Sequence, residues 1–327
     1  MLIITEEKSM NIISALMSVI MMIPSLLGLY GTDAKDTEAL YRETVAAIGY
    51  ENTVETATPQ TEIYDLITEH FNSPLPEGKT AKKAIVIGYD GCRADALKYV
   101  DSSSSFSGIG KLLSDGGTLK IGYCGGVNYP AENTQKTSTA PGWCSLLTGE
   151  WADKHGITAN GITKTLEYKT LMTSMVESGV IDSANFITSW NGHFVKDDST
   201  YKAEKAYCEE NGINVAFNYC VEDTASARTA IKDIRQDDCS DFIFAIYEGT
   251  DHAGHTFGFS VNNPIYEAGF MLNDILAYRT VKAIENRDTY ESEDWLIIIT
   301  ADHGGYGTEH GGPSIQERMV FILTNKD

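Results

Sequence analysis

Three uninterrupted apolar runs, each ending in or beside an acidic residue, constrain the fold of this chain more than any other feature. They read A-I-V-I-G-Y-D at 84–90, D-F-I-F-A-I-Y-E-G at 241–249 and W-L-I-I-I-T-A-D-H-G at 295–304. Such a run, rich in β-branched and aromatic residues, is typical of a strand buried on both faces of a parallel sheet. Because these sheets bind ligands at the carboxyl ends of their strands, Asp90, Asp251 and Asp302, which fall at or just after the strand ends, mark the expected site.

Helical patterns separate the predicted strands. Two further strands are predicted at 183–190 and 318–324. Apolar residues recur at helical spacing in the segments between strands, at 171–179, at 224–235 and from Pro264 to Glu285. Strands that alternate with helices in this way predict a three-layer α/β/α sandwich with a largely parallel central sheet.

The chain divides into three regions. Residues 1–31 are an apolar segment, of which 10–31 carry no charge and are long enough to span a bilayer. No basic leader precedes this segment and no A-x-A cleavage site follows it, so a membrane anchor, an export signal and a buried or peripheral helix stay open. An anchored or exported location is favoured over a cytoplasmic one. Residues 32–81 are predicted to form a peripheral helical region and a linker, and residues 82–327 the main domain.

The charge of the chain excludes one class of partner. The 327 residues carry a formal net charge of -21. An acidic surface repels a phosphate-rich polymer, so nucleic acid bound in a groove is not expected. A small anionic substrate is compatible with this charge if metal ions supply local positive charge. The six cysteines form no C-x-x-C motif and are expected to be mostly small buried apolar residues.

Candidate metal ligands follow the three apolar runs. Asp90 ends the first run, and Asp251 and His255 follow the second in E-G-T-D-H-A-G-H. The third run leads into T-A-D-H-G-G-Y-G-T-E-H-G-G, which adds Asp302, His303 and His310. Mixed Asp/His sets suit zinc and, less selectively, manganese or iron. Six ligands exceed the needs of one tetrahedral ion, so we predict two divalent metal ions, with zinc preferred. The other histidines near these motifs, His155, His193 and His252, are expected to be structural or to lie outside the ligand sets.

A candidate nucleophile lies in Q-K-T-S-T-A-P-G-W-C-S-L-L-T-G-E at 135–150. Hydroxyls occur at Thr137, Ser138 and Thr139, and Pro141 suits the first turn of a helix. A hydroxyl at that helix start faces free N–H groups, which favour a phosphate oxygen, although Ser and Thr are also ordinary N-caps. Beside two metal ions, we interpret one of these hydroxyls as an activated nucleophile.

Together these segments resemble the alkaline phosphatase superfamily, and within it most nearly the nucleotide pyrophosphatase/phosphodiesterase branch. The matching pieces, in chain order, are D-G-C-R-A-D (90–95), T-A-P-G-W (139–143), L-T-G-x5-H-G-I-x-x-N (147–160), D-x-x-G-H (251–255), D-H-G-G (302–305) and H-G-G (310–312). Each piece is weak by itself, but their order over about two thirds of the chain is specific. The resemblance implies an alkaline-phosphatase-like fold and makes 82–327 a metal-dependent phosphoesterase domain.

The resemblance also implies roles for the matching residues. One zinc ion would be held by Asp90, Asp302 and His303, and the other by Asp251, His255 and His310. Thr139 would complete the first set and attack phosphorus as an alkoxide, which forms a phospho-threonine. Asn160 would hydrogen-bond a phosphoryl oxygen, together with the backbone N–H groups that follow Thr139.

Departures from the branch pattern bear on the substrate. Gly142-Trp143 stands where the branch usually has Asn-His, so the leaving-group pocket differs, and we predict Trp143 as a substrate-binding residue. His310 follows His303 by only seven residues, which predicts little capping structure and an open site. The Cys or Ser followed by x-P-x-R that sulfatases use is absent. Arg93 is expected to be structural rather than a phosphate ligand.

The sequence therefore predicts a two-zinc phosphoesterase that hydrolyses phosphodiester or pyrophosphate bonds in a small phosphorylated substrate, such as a nucleotide. A phosphomonoesterase, phosphonate hydrolase or phosphomutase of the same superfamily is the alternative among enzymes. A non-catalytic, membrane-anchored binding protein is the alternative of another class, and the complete set of ligands and nucleophile disfavours it. No feature of the sequence indicates an oligomeric state.

Overall fold

The computed structural model describes residues 36–50, 56–100, 106–127 and 134–326. The strands are β1 Thr58–Pro59, β2 Ala81–Tyr89, β3 Thr118–Tyr123, β4 Ala184–Thr188, β5 Val215–Tyr219, β6 Phe242–Tyr247, β7 Glu293–Ala301 and β8 Met319–Thr324. The α-helices are α1 Glu38–Ala47, α2 Glu62–Asn72, α3 Gly108–Ser114, α4 Thr139–Thr148, α5 Ala152–His155, α6 Leu171–Glu177, α7 Lys202–Asn211, α8 Asp223–Ile234, α9 Gly249–Phe257, α10 Pro264–Glu285 and α11 Ile315–Arg318. Short 3-10 helices lie at Ala94–Tyr99, Leu166–Tyr168 and Tyr290–Ser292.

The strands form one eight-stranded sheet with the order β1-β3-β8-β7-β2-β6-β4-β5. Only β8 runs against its neighbours, and it is antiparallel to both β3 and β7. The remaining pairs are parallel. The largely parallel sheet predicted from the apolar runs is therefore confirmed.

The three strands with continuous apolar runs lie side by side at the centre of the sheet. β2 pairs with β6 on one side and with β7 on the other. Tyr89 at the end of β2 is level with both Tyr247 and Ala301, the last residues of the neighbouring strands. The loops that follow these strands therefore start at the same edge of the sheet.

Helices cover both faces of the sheet, and each interface is a separate core. On one face α8 and α10 pack over apolar side chains of the sheet that include Tyr89 and Tyr247. On the other face α2, α4 and α6 pack over Phe186 and Phe244, with Trp143 of α4 fully buried. The predicted three-layer sandwich is confirmed, because apolar side chains of the sheet are buried on both sides.

The described part of residues 32–81 is built into the body of the molecule rather than lying on its periphery. Tyr41 and Val45 of α1 are fully buried, and β1 extends the sheet beside β3. The carboxylate of Asp36, just before α1, receives a bidentate contact from Arg93, which itself is fully buried. Arg93 is thus structural, as its position in the sequence suggested.

The apolar segment 10–31 lies outside the described residues. Across the described ranges, no helix combines the length and the apolar composition that crossing a bilayer requires. All six cysteines fall within these ranges as free thiols, and five of the six are buried.

Candidate functional site

The predicted ligands meet at the carboxyl edge of the three central strands. Asp90 directly follows β2, while Asp302 and His303 directly follow β7, and all three are fully buried. Asp251 and His255 lie on α9, which begins two residues after β6. Side chains four residues apart share one face of a helix, so the carboxylate and the imidazole point the same way. Because β2, β6 and β7 end level with one another, the segments that follow them meet although they lie far apart in the sequence.

Thr139 is the hydroxyl that faces these ligands. It is the first residue of α4, after Ser138 at the N-cap. Its Oγ1 donates to Asp90 Oδ1 at 3.3 Å and lies 3.5 Å from Nε2 of His303. Thr137, by contrast, donates its hydroxyl to the carbonyl of Gly312 at 2.8 Å and so holds the later loop in place.

The first predicted ligand set is compact. Nε2 of His303 lies 3.4 Å from Oδ1 of Asp90 and 3.5 Å from Oδ2 of Asp302. Oδ1 of Asp302 accepts hydrogen bonds from the backbone N–H groups of Gly91 and His303. Oδ2 is left without a hydrogen-bond partner among the described residues. A buried carboxylate oxygen in that state is available to a cation.

The second predicted set lies beside the first. Oδ2 of Asp251 is 3.5 Å from Nε2 of His255, and its Oδ1 is 3.8 Å from Nε2 of His310. Ligand atoms of Asp251, His255 and His310 lie within 4.8 Å of one another, and so do those of Asp90, Asp251 and His303. Because Asp251 belongs to both groups, ions held by them would be neighbours.

The histidines are oriented as metal ligands usually are. His255 presents Nδ1 to the carbonyl of Thr308 at 2.9 Å, and His303 presents Nδ1 to the carbonyl of Gly304 at 2.7 Å. Each ring then carries a hydrogen on Nδ1, and Nε2 is the nitrogen that would bind a metal ion in place of a proton. Both Nε2 atoms face carboxylates of the cluster.

The electrostatics of the cluster also suit cations. Burial, reinforced by the nearby charge of Asp90, raises the pKa of Asp302 well above its usual value and that of Asp251 to about 6. Burial alone would lower the pKa of His303, but Asp302 and Asp90 raise it to about 10. Burial and the charge of His303 lower the pKa of His310 to about 2. Several buried carboxylates that repel one another, together with imidazole nitrogens, form a donor set that divalent ions fit.

Trp143 occupies a different position from the one predicted. Its side chain is fully buried under the site, and its indole N–H donates to Oδ2 of Asp90 at 2.9 Å. The ring lies directly on Gly88 of β2, where an added Cβ would approach it to 2.3 Å. A side chain enclosed in this way orients Asp90 and is not part of the open surface that a substrate would reach. Nothing in the sequence around a tryptophan four residues after Thr139 distinguishes a substrate-binding side chain from one that orients Asp90.

Asn160 lies beside the start of α4. Its side chain is exposed, and its Oδ1 accepts the backbone N–H of Ala140 at 2.8 Å. The amide is therefore fixed beside the start of α4, with its NH₂ group available to a ligand. Among the other histidines, His155 and His193 are buried and His252 is exposed on α9, and His193 is near enough to Asp90 for the carboxylate to act on its pKa.

Glu248 is a buried acid at this edge that sequence reasoning did not single out. It follows β6 directly and is 2% exposed, and its Oε1 has no hydrogen-bond partner in the described structure. Burial and the charge of Asp90 raise its pKa well above the usual value. Its position at a strand end was the available signal, but a lone glutamate there gives no indication of burial.

Comparison with known proteins gives a family match and several similar structures. The family model for type I phosphodiesterases and nucleotide pyrophosphatases matches residues 84–315, more than two thirds of the chain. Murine ectonucleotide pyrophosphatase/phosphodiesterase 5 is 19% identical, with a TM-score of 0.46 over 68% of this chain and 57% of that one. That murine protein has also been solved as an inactive variant in complex with AMP. The chain thus spans less than two thirds of the length of the murine protein.

Two bacterial structures are also among the similar ones. A candidate sulfatase from Bacteroides thetaiotaomicron is 12% identical, with a TM-score of 0.50 over 74% of this chain and 64% of that one. The phosphonate monoester hydrolase of Agrobacterium radiobacter is 13% identical, with a TM-score of 0.49 over 75% of this chain and 68% of that one. Among curated proteins, none matches the chain.

Proposed function

Because this chain belongs to the type I phosphodiesterase/nucleotide pyrophosphatase family, within the alkaline phosphatase superfamily, we propose that it is a two-metal phosphoesterase. Its reaction is the hydrolysis of phosphodiester or pyrophosphate bonds in a small phosphorylated substrate such as a nucleotide. The observation that carries this proposal is the Thr139 hydroxyl, at a helix start and within 3.5 Å of two residues of the ligand cluster.

Two divalent ions, with zinc preferred, would be held by two sets of side chains. The first set is Asp90, Asp302, His303 and Thr139, and the second is Asp251, His255 and His310. When bound, the ions supply positive charge that favours the ionised form of a hydroxyl and stabilises charge on the attacking and leaving oxygens. An acidic protein can in this way accept an anionic substrate.

Thr139 provides the nucleophile. Its hydroxyl, beside Asp90 Oδ1 and His303 Nε2, loses its proton to water, and Oγ1 forms a bond to phosphorus. The bond from phosphorus to the leaving oxygen breaks, and its electron pair departs with that oxygen. Water then attacks the phospho-threonine, which releases the phosphorylated product and restores the hydroxyl. Hydrogen bonds from His303 and Trp143 outweigh burial and hold the pKa of Asp90 below its usual value, so the carboxylate starts ionised.

The start of α4 binds the phosphoryl oxygens. The backbone N–H groups of the first turn of a helix have no partner within the helix and attract anions. One of them, on Ala140, is taken by Asn160, and this bond places the asparagine NH₂ group beside the remaining ones. Donors fixed before the reaction stabilise the charge that develops on phosphorus without reorganising.

The test combines metal content with one substitution. The purified protein should hold close to two zinc ions per chain and cleave bis-p-nitrophenyl phosphate faster than p-nitrophenyl phosphate. Thr139→Ala should lower turnover by at least about 10³-fold, because it removes the nucleophile and leaves the buried ligands in place. Elemental analysis of the variant should still find both ions.

Ser138→Ala is the matched control, since this neighbouring hydroxyl makes no hydrogen bond among the described residues. It should keep activity within a few-fold of the wild type. Near-normal turnover in Thr139→Ala would refute the phospho-threonine route. Faster cleavage of p-nitrophenyl phosphate would be compatible with the same metal site but would support the phosphomonoesterase alternative.

A further inference from the structure

A buried chain of hydrogen bonds runs from the segment before α4, through α4 itself, to the loop that carries Asn160. Its members are the side chains of Gln135, Ser145 and His155, none of which is more than 2% exposed. The hydroxyl of Ser145 donates to Oε1 of Gln135 at 3.0 Å and lies 3.0 Å from Nε2 of His155. Nδ1 of His155 accepts the backbone N–H of Ile157 at 3.0 Å. The proposed reaction uses none of these three side chains.

The direction of these bonds follows from the backbone donor at one end. Because the N–H of Ile157 can only donate, Nδ1 of His155 is an acceptor and the ring carries its hydrogen on Nε2. That Nε2–H donates to Ser145, whose hydroxyl donates in turn to Gln135. Burial and the charge of Lys164 lower the pKa of the ring to about 3, so the ring stays neutral and keeps this arrangement near neutral pH.

Gln135 fastens the other end of the chain to the start of α4. Its Nε2 donates to the carbonyl of Pro141 at 3.1 Å, and its Oε1 accepts the backbone N–H of Ala152 at 2.9 Å. Next to it, the backbone N–H of Lys136 donates to the carbonyl of Thr158 at 3.1 Å. The first turn of α4 and the loop after His155 are therefore tied to the same short segment.

The loop at 156–160 is short, and its backbone decides where Asn160 lies. The chain leaves α5 at Gly156, whose φ of +77° turns it back toward α4. The side chain of Ile157 is buried and packs with Ala140 and Cys144 of α4. The side chain of Asn160 is exposed, and its Oδ1 accepts the N–H of Ala140 at 2.8 Å. An exposed side chain is not held by packing, so its position depends on the backbone that carries it.

We propose that His155 is a positioning residue for the phosphoryl contact, because its bond to Ile157 fixes the backbone that presents Asn160 beside Thr139. This inference rests on the proposed function, in which the Asn160 amide binds a phosphoryl oxygen. The ring joins the loop to α4, whose first residue is Thr139, so the nucleophile and the donor keep one relative position. A misplacement of about 1 Å in such a group can lower turnover about 100-fold.

Two amide substitutions separate positioning from packing. His155→Asn places a carbonyl oxygen where Nδ1 lies and keeps an acceptor for the N–H of Ile157, whereas His155→Gln keeps only a donor for Ser145. Gln is closer to His in volume, so a ring that merely fills space would be replaced better by Gln. Positioning predicts the reverse order. With bis-p-nitrophenyl phosphate, kcat should fall about tenfold in His155→Gln and less than about threefold in His155→Asn, and KM should change less than about twofold.

A double-mutant cycle with Asn160→Ala shows whether the loss passes through the phosphoryl contact. Asn160→Ala alone should lower kcat about 100-fold. In that background His155→Gln should lower kcat by less than about a further twofold, because the group that it positions is gone. Ser145→Ala removes one buried oxygen and gives a second reading if His155→Gln does not fold. It should lower kcat about threefold, the effect of one neutral hydrogen bond, and only when Asn160 is present.

His70→Gln is the matched control, because this buried imidazole bonds to the carbonyl of Lys83 at 3.1 Å at the opposite edge of the sheet. It should leave kcat unchanged, and all variants should hold equal amounts of zinc. Losses that multiply in the double mutant, or a higher kcat in His155→Gln than in His155→Asn, would overturn the inference while the proposed function stands. A wild type that does not cleave the diester would overturn the proposed function as well.

Discussion

The two carboxylate oxygens of Asp90 have different partners. Oδ2 is held by the indole N–H of Trp143, which leaves Oδ1 for the Thr139 hydroxyl and for His303. The indole can approach because residue 88 on the strand beneath it is glycine. Partners that orient a metal ligand in this way commonly change metal affinity when they are removed.

Trp143→Phe should therefore weaken zinc binding by about 10- to 100-fold while the ring still fills the core. The measurement is a zinc titration against a chelating dye. Trp295 provides a matched control, because its buried indole donates to Glu293 at 2.8 Å at the opposite edge of the sheet. Trp295→Phe removes the same kind of bond and should leave zinc affinity unchanged. Equal affinities for both variants and the wild type would contradict this role of Trp143.

Among the secondary-structure elements, the strands that are buried on both faces could be predicted from the sequence. The five strands predicted from apolar runs are β2, β4, β6, β7 and β8, and all are present. β3 and β5 were not predicted because they are only partly buried and contain no long uninterrupted apolar run. β1 has two residues, too few to leave a pattern.

The meeting of the predicted ligands at one edge could be foreseen for the same reason as the central strands. A strand end is visible in the sequence, and parallel neighbours bring their ends to one edge. The surroundings of the ligands could not be predicted. Whether Trp143 faces the substrate or the core, and whether Glu248 is exposed or buried, depends on packing between segments that are distant in the sequence.

Helix α1 is attached to the domain through a buried ion cluster. Asp36 contacts Arg93, which also binds both oxygens of Asp95. Asp36→Asn should lower the free energy of unfolding by roughly 3 kcal/mol, because a buried charge loses a partner. It should also speed hydrogen exchange in α1.

The control for this prediction lies in the same helix. Glu38 forms an exposed ion pair with Arg42, and Glu38→Gln should change the free energy of unfolding by no more than about 0.5 kcal/mol. Similar effects of the two substitutions, measured by urea denaturation, would mean that the buried cluster does not anchor α1.

At the scale of the whole molecule, buried histidines make stability depend on pH. Burial lowers the pKa of His70 to about 4 and those of His155 and His193 to about 3. Between these values and about pH 6.5, the three rings are neutral in the folded protein, whereas the same histidines in the unfolded chain are protonated. Their contribution to the free energy of unfolding is fully present above the unfolded-state pKa of about 6.5. It is lost as the pH falls toward the pKa values of the folded protein.

The free energy of unfolding should therefore fall with decreasing pH below about 6.5, by up to roughly 1.4 kcal/mol per unit for each histidine. His155→Gln should reduce this slope. Its Nδ1 accepts the N–H of Ile157 and its Nε2–H reaches Ser145, so protonation would break the first of these bonds. Urea denaturation of both proteins between pH 4 and 8 measures the difference, and parallel curves would contradict the prediction.

The central position of β2, β6 and β7 has a consequence for how the site is lost. Each of these strands is hydrogen-bonded on both sides, whereas β1 and β5 form the two edges of the sheet. Thermal fluctuations open edge strands and surface helices at low cost, but they release interior strands only when the sheet as a whole separates. The strands that end at Asp90 and Asp302 are therefore the last to open, and a chain that has frayed only at β1 or β5 should keep these two residues in place.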